Sequence, residues 1–283
     1  MLGTLVRSFT ASAHDVLYPS REVVLEYGTL RRCDDFGQAI SDLADECDAG
    51  LVIAPDELLG GYIKLIEKSV CRNLGCSSGS ASLCADKLLT TRALAEHGVP
   101  VPRTAGFGET LECGLYVIKP RFGCASEGIR VTGEMNPGEG EIATEFIDGE
   151  HLSASLILGK SPLPLTVNRQ LIHVNNTISY EGGDVPYRTR RWDEVMGVAI
   201  RTAKILGCSG YVGVDMVLAD KPYVVDVNPR PTTSIVGIEH VIDRRLGDLL
   251  IRAQFGGLPG AVNIRGSFRF TKETLTGEKL AGL

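Results

Sequence analysis

The sequence predicts a protein of mixed α and β class (α/β, α+β), in which strands and helices alternate along 283 residues. The stretch Gly210–Pro231 holds two Val-rich runs joined by a short turn-like segment, which is typical of a β-hairpin. Residues 192–206 place apolar side chains on one face at helical spacing, and Gly207 follows directly, which is typical of an amphipathic helix and its end.

Composition narrows the class of protein further. Charged residues make up 23% of the chain and hydrophobic residues 43%, an ordinary globular balance. The net charge of −6 and the absence of basic runs argue against nucleic acid as the main partner. No signal peptide and no membrane-spanning run is present, so we expect a cytoplasmic protein. Eight scattered cysteines without a CxxC pair are expected to be reduced thiols.

Residues 1–82 predict a short α/β layer at the start of the chain. Val23–Leu25 and Leu51–Ala54 are short apolar runs that predict buried strands, and Asp35–Cys47 has the spacing of a helix.

The central part of the chain predicts one helix followed by short strands. Ser80–His97 has a capping residue in Ser82, and Gly98 with two nearby prolines can end it. The elements that follow are a strand at 116–119, a loop rich in small residues at 121–128, a strand at 129–132, a polar linker at 134–140, and strands at 142–147, 152–158 and 165–172.

The C-terminal part predicts a polar loop at Asn175–Tyr187, which contains Gly182-Gly183, and then two helices. The first helix is the one at 192–206 and the second is a long one at 235–255. Residues 271–283 are expected to be a loose tail. The expected subdomains are therefore 1–82, 83–140 and 141–270.

The hairpin carries acids inside its apolar strands. If residues 219–222 form the loop, Leu218 pairs with Tyr223, and counting back places Asp215 directly opposite Asp226. Opposite side chains of an antiparallel pair lie about 4.5–5.5 Å apart, so two such carboxylates repel each other.

An amide completes this group of oxygen atoms. Asn228 lies two residues after Asp226, on the same face and opposite Gly213, which has no side chain to crowd it. Carboxylate and amide oxygens suit Mg²⁺ or Mn²⁺, and a cation would remove the repulsion. Arg230 follows close to any anion that the metal holds. The alternative is a hairpin whose charges simply face solvent.

A lysine at a strand end precedes a loop of small residues. Lys119 ends the strand at 116–119, and the backbone N–H groups of Gly123–Gly128, with Ser126 among them, could cradle a polyphosphate. A flexible loop beside a surface lysine is an equally good interpretation of this segment. A Walker loop is excluded because its glycine and lysine pattern is absent.

Further candidate residues carry weaker signals. In the segment 145–150, Phe146 and Ile147 could form an apolar wall for adenine beside Glu145, and Glu150 could bind a ribose; solvated acids are the alternative. Lys87 by itself is typical of a surface lysine. Within 168–170, successive side chains face opposite sides, so at least one of Asn168, Arg169 and Gln170 points inward, either to a substrate or to a structural hydrogen bond. Asn168 and Arg169 are the candidates for the substrate contact. No Ser/His/Asp or Cys/His arrangement is apparent.

These motifs, in this order, resemble those of the ATP-grasp superfamily. The matching segments are Asp86-Lys87, VIKPRFGCASEGI at 117–129, TEFIDGEHLSASL at 144–156 and GYVGVDMVLADKPYVVDVNPRP at 210–231. Within the superfamily the chain is most similar to the archaeal tyramine–glutamate ligases of methanofuran biosynthesis, on the evidence of segments 48–57, 73–77, 86–90 and 167–170. The resemblance implies an ATP-grasp fold, in which two α+β subdomains clasp ATP after a short Rossmann-like N-terminal layer.

The resemblance also implies roles for the candidate residues. It implies ATP-phosphate binding by Lys87 and Lys119 under the 123–128 loop, adenine binding by Glu145 and Ile147, ribose binding by Glu150, coordination of two divalent cations by Asp215, Asp226 and Asn228, and stabilisation of the transferred phosphoryl group by Arg230. Two features depart from the pattern. Many relatives have Glu where this chain has Asp226, and residues 1–20 do not resemble the first strand of the usual preceding domain.

The function implied is an ATP-dependent carboxylate–amine ligase that forms an acyl phosphate, with L-glutamate and tyramine as substrates, and the resemblance suggests a homodimer. Two alternatives stay open. One is a kinase-like ATP-grasp enzyme that phosphorylates a small hydroxylated substrate, and the other is a catalytically inactive nucleotide-binding module.

Overall fold

A computed structural model describes residues 1–123 and 128–276 of the chain as a series of short helices and two main sheets. The helices are α1 (Leu2–Ala11), α2 (Phe36–Glu46), α3 (Asp56–Glu67), α4 (Ser78–Ala85), α5 (Lys87–Glu96), α6 (Trp192–Ile205), α7 (Ile235–Val241), α8 (Leu246–Phe255) and α9 (Lys272–Thr276). The strands are β1 (Leu17–Ser20), β2 (Thr29–Arg32), β3 (Ala49–Gly50), β4 (Arg72–Asn73), β5 (Thr104–Gly106), β6 (Tyr116–Pro120), β7 (Arg130–Thr132), β8 (Glu141–Glu145), β9 (Glu150–Leu158), β10 (Pro162–Val174), β11 (Ile178–Val185), β12 (Gly210–Leu218), β13 (Pro222–Asn228) and β14 (Phe268–Thr271).

The larger sheet has six antiparallel strands in the order β13-β12-β9-β10-β11-β14. One face is apolar because every second residue of β9 and β12 is aliphatic, and this face packs on α6. The residues that form this contact include Leu152, Ala154, Leu156, Val212, Val214 and Met216 on the sheet and Val195, Met196, Ala199 and Ala203 on the helix.

The opposite face of the same sheet is divided into two regions. At one end, apolar residues such as Ile157, Leu163 and Tyr211 pack under α7, α8 and α1. At the other end the side chains are polar: Ser153 of β9 lies opposite both Asp215 of β12 and Asn168 of β10. The helices therefore cover only part of this face, and the polar part lies beside them.

A smaller sheet with the order β5-β8-β6-β7 lies over this polar region. The β10–β11 turn touches it, because Arg130 of β7 forms a bridge with Thr177 and Val131 N–H donates to Asn176. The subdomain boundaries at 82, 140 and 270 stay a prediction; strand β8, which follows residue 140, pairs with β5 and β6.

The N-terminal layer contains two pairs of parallel strands, β1-β2 and β3-β4, with α2 and α3 beside them. The predicted helix at 35–47 is confirmed, and Asp35 caps it by accepting from Gln38 N–H. The predicted strands at 23–25 and 51–54 are wrong: both segments are irregular, and the strands lie a few residues away. Short apolar runs do not distinguish a strand from a buried irregular segment.

The single helix predicted at 80–97 is in fact two helices, α4 and α5, and Ser77 rather than Ser82 caps the first. Asp86 has extended backbone angles at the break, and its carboxylate accepts from the N–H groups of Leu88 and Leu89. An aspartate that caps a new helix from inside a helical pattern explains the break.

The loop predicted at 175–187 is wrong, because residues 178–185 form strand β11 between β10 and β14. The Gly182-Gly183 pair serves close strand packing rather than a turn. A Cβ atom on Gly182 would lie 2.1 Å from the carbonyl oxygen of Phe270 on β14. Glycine is required there because the neighbouring backbone leaves no room for a side chain.

The long helix predicted at 235–255 is wrong as well, because it is divided into α7 and α8. The buried carboxylate of Glu239 accepts from Leu246 N–H at 2.9 Å and from the Ser8 hydroxyl at 3.0 Å. This side chain thus stabilises the start of α8 from inside α7. In the tail predicted at 271–283, residues 272–276 form α9, and residues 277–283 lie outside the described part of the chain.

The β12–β13 hairpin has a shorter turn than predicted. Leu218 pairs with Pro222, not with Tyr223, so the loop has three residues. A β-bulge at Val225 then adds one residue to β13, and beyond it Asp215 is opposite Asp226 as predicted. The error in the turn and the unforeseen bulge cancel, and the predicted acid pair is confirmed.

Two general features of the described residues complete the picture. None of their helices combines the length and the apolar character that crossing a membrane requires. The cysteines that the structure describes are all free thiols.

The core between α6 and the large sheet gives a stability prediction. Leu156 is fully buried there, so we expect Leu156→Ala to lower the free energy of unfolding by about 2–5 kcal/mol, measured by urea denaturation. Val70 is 87% exposed, so Val70→Ala should change the free energy of unfolding by less than about 0.5 kcal/mol. Equal effects of the two substitutions would contradict this assignment of the core.

Candidate active site

A cavity of about 780 Å³ lies between the polar region of the large sheet and the small sheet. Ten of the predicted site residues line it: Lys87, Lys119, Gly123, Glu145, Phe146, Ile147, Asp215, Asp226, Asn228 and Arg230. These residues come from segments far apart in the chain, so folding alone brings them together. Predicted residues Gly128, Glu150, Asn168 and Arg169 do not line the cavity, and Ser126 lies outside the described residues.

The two acids of the β12–β13 hairpin form the floor of the cavity. Asp215 accepts hydrogen bonds from the amide N–H groups of Asn228, at 3.1 Å, and Gln170, at 3.0 Å. Burial, reinforced by the charge of Asp226, raises the pKa of Asp215 to about 7, although hydrogen bonds from Ser153 and Asn228 partly oppose this. The site therefore holds two closely spaced acids, and no ion pair shorter than 4.0 Å among the described residues balances their negative charges.

The bulge in β13 creates a contact between the two sheets. Val225 has no partner on β12, and its carbonyl oxygen accepts a hydrogen bond of 2.9 Å from Lys119 Nζ at the end of β6. Lys119 is only 8% exposed, and burial lowers its pKa to about 8 even though Asp226 raises it. The ammonium group is thus held over the acid pair by the carbonyl that the bulge releases from the strand ladder.

Lys87 reaches the same place from the first turn of α5. Its Nζ lies 4.0 Å from Asp226 Oδ1 and donates to the carbonyl of Gly123 at 2.5 Å. The preceding residue fixes its position, because the Asp86 carboxylate caps α5 and also accepts two hydrogen bonds from Arg121, at 2.8 and 2.6 Å. Hydrogen bonding from Arg121 therefore helps to keep the pKa of Asp86 low, against the effect of burial.

Comparison with known proteins agrees with this arrangement. The model of the ATP-grasp domain matches residues 84–234, more than half of the chain. The chain belongs to the ATP-grasp superfamily.

Individual relatives support this assignment. A tyramine–L-glutamate ligase of Methanocaldococcus fervens is 37% identical over 212 residues, and the match covers 74% of this chain and 66% of that protein. A second protein of that name, from Methanocaldococcus jannaschii, is 35% identical over 74% of this chain and 63% of its own length. This chain thus spans about two thirds of the length of these relatives. A solved structure of an ATP-grasp superfamily protein from Archaeoglobus fulgidus is 33% identical, with a TM-score of 0.69 over 84% of this chain and 73% of that one.

The ATP-grasp fold predicted from the sequence is confirmed by these matches, and so is the mixed helix and strand content. In the ATP-grasp domain the acid pair fits a divalent cation. Two opposed carboxylates and the Asn228 amide supply oxygen ligands, and Mg²⁺ is commonly bound by one or two carboxylates together with substrate phosphates. Within the described residues no group of three or more His, Cys, Asp and Glu side chains is arranged to hold a metal, and the Asn228 amide lies beside the two carboxylates.

The wall predicted to hold adenine is present in part. Phe146 N–H donates to Leu115, whereas Ile147 N–H makes no hydrogen bond among the described residues and is free to meet a ligand. The Glu145 carboxylate is engaged by Arg103, at 2.9 and 3.0 Å, and this contact lowers the pKa of Glu145. A base bound here would therefore meet backbone groups and apolar side chains more readily than that carboxylate.

The predicted residues outside the cavity have other partners. Glu150 accepts from the Tyr187 hydroxyl at 2.8 Å, and Arg169 lies over the ring of Tyr187 at 5.7 Å. Asn168 is buried and donates to the Ser155 hydroxyl at 3.2 Å.

Sequence reasoning missed several residues of the site. Within the polar triplet at 168–170 it singled out Asn168 and Arg169, yet Gln170 is the residue that contacts Asp215. Asp56 was missed although it lies in segment 48–57, because that segment indicated only a family resemblance and no role for the residue; it pairs with Arg230 across the fold. The cavity residues His151 and Tyr180 were missed as well, because His151 falls between two predicted strands and Tyr180 falls in the segment predicted to be a loop.

The raised pKa of Asp215 predicts how stability depends on pH without metal. Ionised Asp215 is disfavoured in the folded protein, so the contribution of Asp215 to stability falls as the pH rises from about 4 through 7. The asparagine in Asp215→Asn cannot ionise. At pH 8 in EDTA we therefore expect the free energy of unfolding of this variant, measured by urea denaturation, to exceed that of the wild type by at least about 1 kcal/mol, since one pKa unit corresponds to about 1.4 kcal/mol.

At pH 4 this difference should disappear. The control is Asp248→Asn, which breaks an exposed pair with Arg252 on α8 and should leave the pH profile unchanged. A gap between Asp215→Asn and the wild type that stayed constant from pH 4 to 8 would contradict the role of ionisation.

Proposed function

We propose that this protein is an ATP-dependent carboxylate–amine ligase that works through an acyl phosphate. The proposed reaction joins the γ-carboxylate of L-glutamate to tyramine and releases ADP and phosphate. The observation that carries the proposal is that Lys87, Lys119 and Arg230 meet the acids Asp215 and Asp226 in one cavity. Three cations over a pair of metal-binding acids suit phosphoryl transfer, which depends on positioning and charge neutralisation.

Each residue then has a role in the proposed reaction. Lys87 and Lys119 bind the phosphates of ATP, and Asp215, Asp226 and Asn228 would hold one or two Mg²⁺ or Mn²⁺ ions. Such ions, when bound, neutralise charge on the β- and γ-phosphates. Arg230 meets the charge that develops on the transferred phosphoryl group and on the acyl phosphate. The amine then attacks the acyl carbon, and phosphate leaves.

The lysines need little rearrangement to do this. Lys119 donates to a neutral carbonyl rather than to a carboxylate, so binding a phosphate does not require an ion pair to break. Burial lowers its pKa to about 8, and an adjacent phosphate would favour its charged form again. The ATP phosphates would therefore supply a counter-charge directly beside the Lys119 ammonium.

The amine side of the proposal is supported by an apolar wall of the cavity. Ile53, Tyr180 and Leu275 line the cavity and also pack against the cluster under α7 and α8 that includes Tyr211. Burial raises the pKa of Tyr180 and the charge of Asp215 adds to this effect, so the ring lies near Asp215. An aromatic ring such as that of tyramine fits such a wall, and the curated relatives carry tyramine in their names. With these substrates the enzyme would act in methanofuran biosynthesis.

The deciding experiment measures ADP formation with Mg²⁺ and ATP, with glutamate and tyramine supplied singly and together. ADP that requires both, with an amide product identified by mass spectrometry, supports the ligase. ADP formation with a single hydroxylated substrate would indicate a phosphotransferase instead of a ligase. Nucleotide binding without ADP formation from any substrate pair would indicate a catalytically inactive binding module.

The proposed metal ligands give a first kinetic prediction. We expect Asp226→Ala to lower kcat for ADP formation by at least about 100-fold, because it removes one of the two carboxylates proposed to hold the cation that neutralises the phosphate charge. Asp220 lies exposed in the turn of the same hairpin, so Asp220→Ala is the matched control and should keep full activity. Turnover by a folded Asp226→Ala protein would contradict the metal assignment.

The apolar wall gives a second kinetic prediction. Tyr180→Ala should raise KM for the amine about tenfold, since losing part of an apolar pocket typically costs about 1–3 kcal/mol of discrimination. KM for ATP should stay within about twofold, and Phe107→Ala, at a residue 63% exposed, should change neither constant. If Tyr180→Ala changed only KM for ATP, the ring would belong to the nucleotide side of the cavity and the assignment to the amine would be wrong.

A further inference from the structure

Arg230 has a buried partner from the N-terminal layer. Asp56, the first residue of α3, accepts hydrogen bonds from Arg230 Nε at 3.3 Å and Nη2 at 3.1 Å, although 174 residues separate the two. Their side chains are 9% and 12% exposed. Surface pairs of this chain are far more open, such as Arg252 and Asp248 at 47% and 31%.

The geometry of this pair leaves one side of the guanidinium free. Both contacts go to the same oxygen of Asp56, Oδ1, and they use Nε and Nη2. Among the described residues Arg230 Nη1 has no hydrogen-bond partner. Arg230 lines the cavity whereas Asp56 does not, so Asp56 contacts the guanidinium from outside the cavity lining.

The Arg230 guanidinium is also attracted by the neighbouring acids of the cavity floor. Arg230 is close enough to Asp215 for its charge to lower the pKa of that carboxyl, so an unrestrained guanidinium could pair with the acids of the floor. A long arginine side chain has several rotamers and gains from any carboxylate within reach. Asp56 offers a competing carboxylate that does not line the cavity.

We propose that Asp56 is a positioning residue: it holds the guanidinium of Arg230 with Nη1 toward the cavity and keeps it away from Asp215 and Asp226. Asp56 touches no substrate and acts only through Arg230. The consequence for turnover rests on the proposed ligase function, but the consequence for the position of Arg230 does not. The N-terminal layer thereby contributes a side chain to the site that the ATP-grasp domain alone does not contain.

The kinetic test uses Asp56→Asn, which keeps the size of the side chain and removes its charge. We expect kcat for ADP formation to fall at least about tenfold while KM for ATP stays within about twofold, because a buried hydrogen bond to a charged group is lost. Asp56→Glu should recover part of kcat. Asp248→Asn, which breaks an exposed pair remote from the cavity, should have no effect.

A double-mutant cycle tests whether Asp56 acts through Arg230. In the Arg230→Ala background, Asp56→Asn should cause no further loss of kcat, since the group it positions is already gone. Losses that multiply would overturn the proposal, because Asp56 would then act on a ligand directly. An unchanged kcat for Asp56→Asn in an active enzyme would overturn it as well.

A structural readout separates this inference from the proposed function. The Nε–H signal of Arg230 in ¹⁵N NMR, assigned with Arg230→Lys, should exchange slowly with solvent in the wild type and at least about tenfold faster in Asp56→Asn. If no substrate pair yields ADP, the ligase proposal fails, but the exchange rate still tests the positioning role of Asp56. An unchanged exchange rate in Asp56→Asn would overturn that role. Thermal unfolding establishes that the variant is folded, and Asp56→Ser replaces it if it is not.

Discussion

The arrangement of the cavity depends on the repulsion between two carboxylates that lie opposite each other in the β12–β13 hairpin. Asp215 and Asp226 cannot both ionise freely in a buried place, and the raised pKa of Asp215 is the direct result. The surrounding cations do not form tight ion pairs with this pair of acids, since the Lys87 ammonium lies 4.0 Å from Asp226. The free protein is thus less stable here than a neutral floor would make it, and a divalent cation is the natural counter-charge.

The bulge at Val225 links this pair of acids to the second sheet. One extra residue in β13 restores the register that places the acids opposite each other, and it also turns a carbonyl toward Lys119. Lys119 belongs to β6 of the small sheet, so the contact joins the two sheets across the cavity. A single irregularity therefore sets both the spacing of the acids and the position of Lys119.

The remaining charged groups are held by side chains that do not face the cavity. Asp86 caps α5 and binds Arg121, which fixes the helix turn that carries Lys87. Asp56 contacts Arg230 from the N-terminal layer in a similar way. In both cases a buried aspartate orients a cationic side chain, which limits its freedom before any substrate arrives.

The sequence by itself determined the local elements whose signal lies within a few residues. Strand alternation places Asp215 opposite Asp226, and Asn228 on the same face, and this prediction survived an error in the turn because the bulge compensated for it. Helix α6 and strand β6 were predictable for the same reason, since periodicity and a proline or glycine at the end define them. The order of the motifs was sufficient to recognise the superfamily.

The tertiary structure alone decided what depends on neighbours distant in sequence. Residues 178–185 become a strand because β10 and β14 lie on both sides, although their glycines and polar residues indicate a loop. The pairing of Asp56 with Arg230 and the choice of Gln170 rather than Arg169 depend on how separate elements pack. Hydrophobic periodicity specifies which face of an element is buried, but it contains no information on which distant side chain meets that face. For that reason contacts such as Asp56 with Arg230 became visible only in three dimensions.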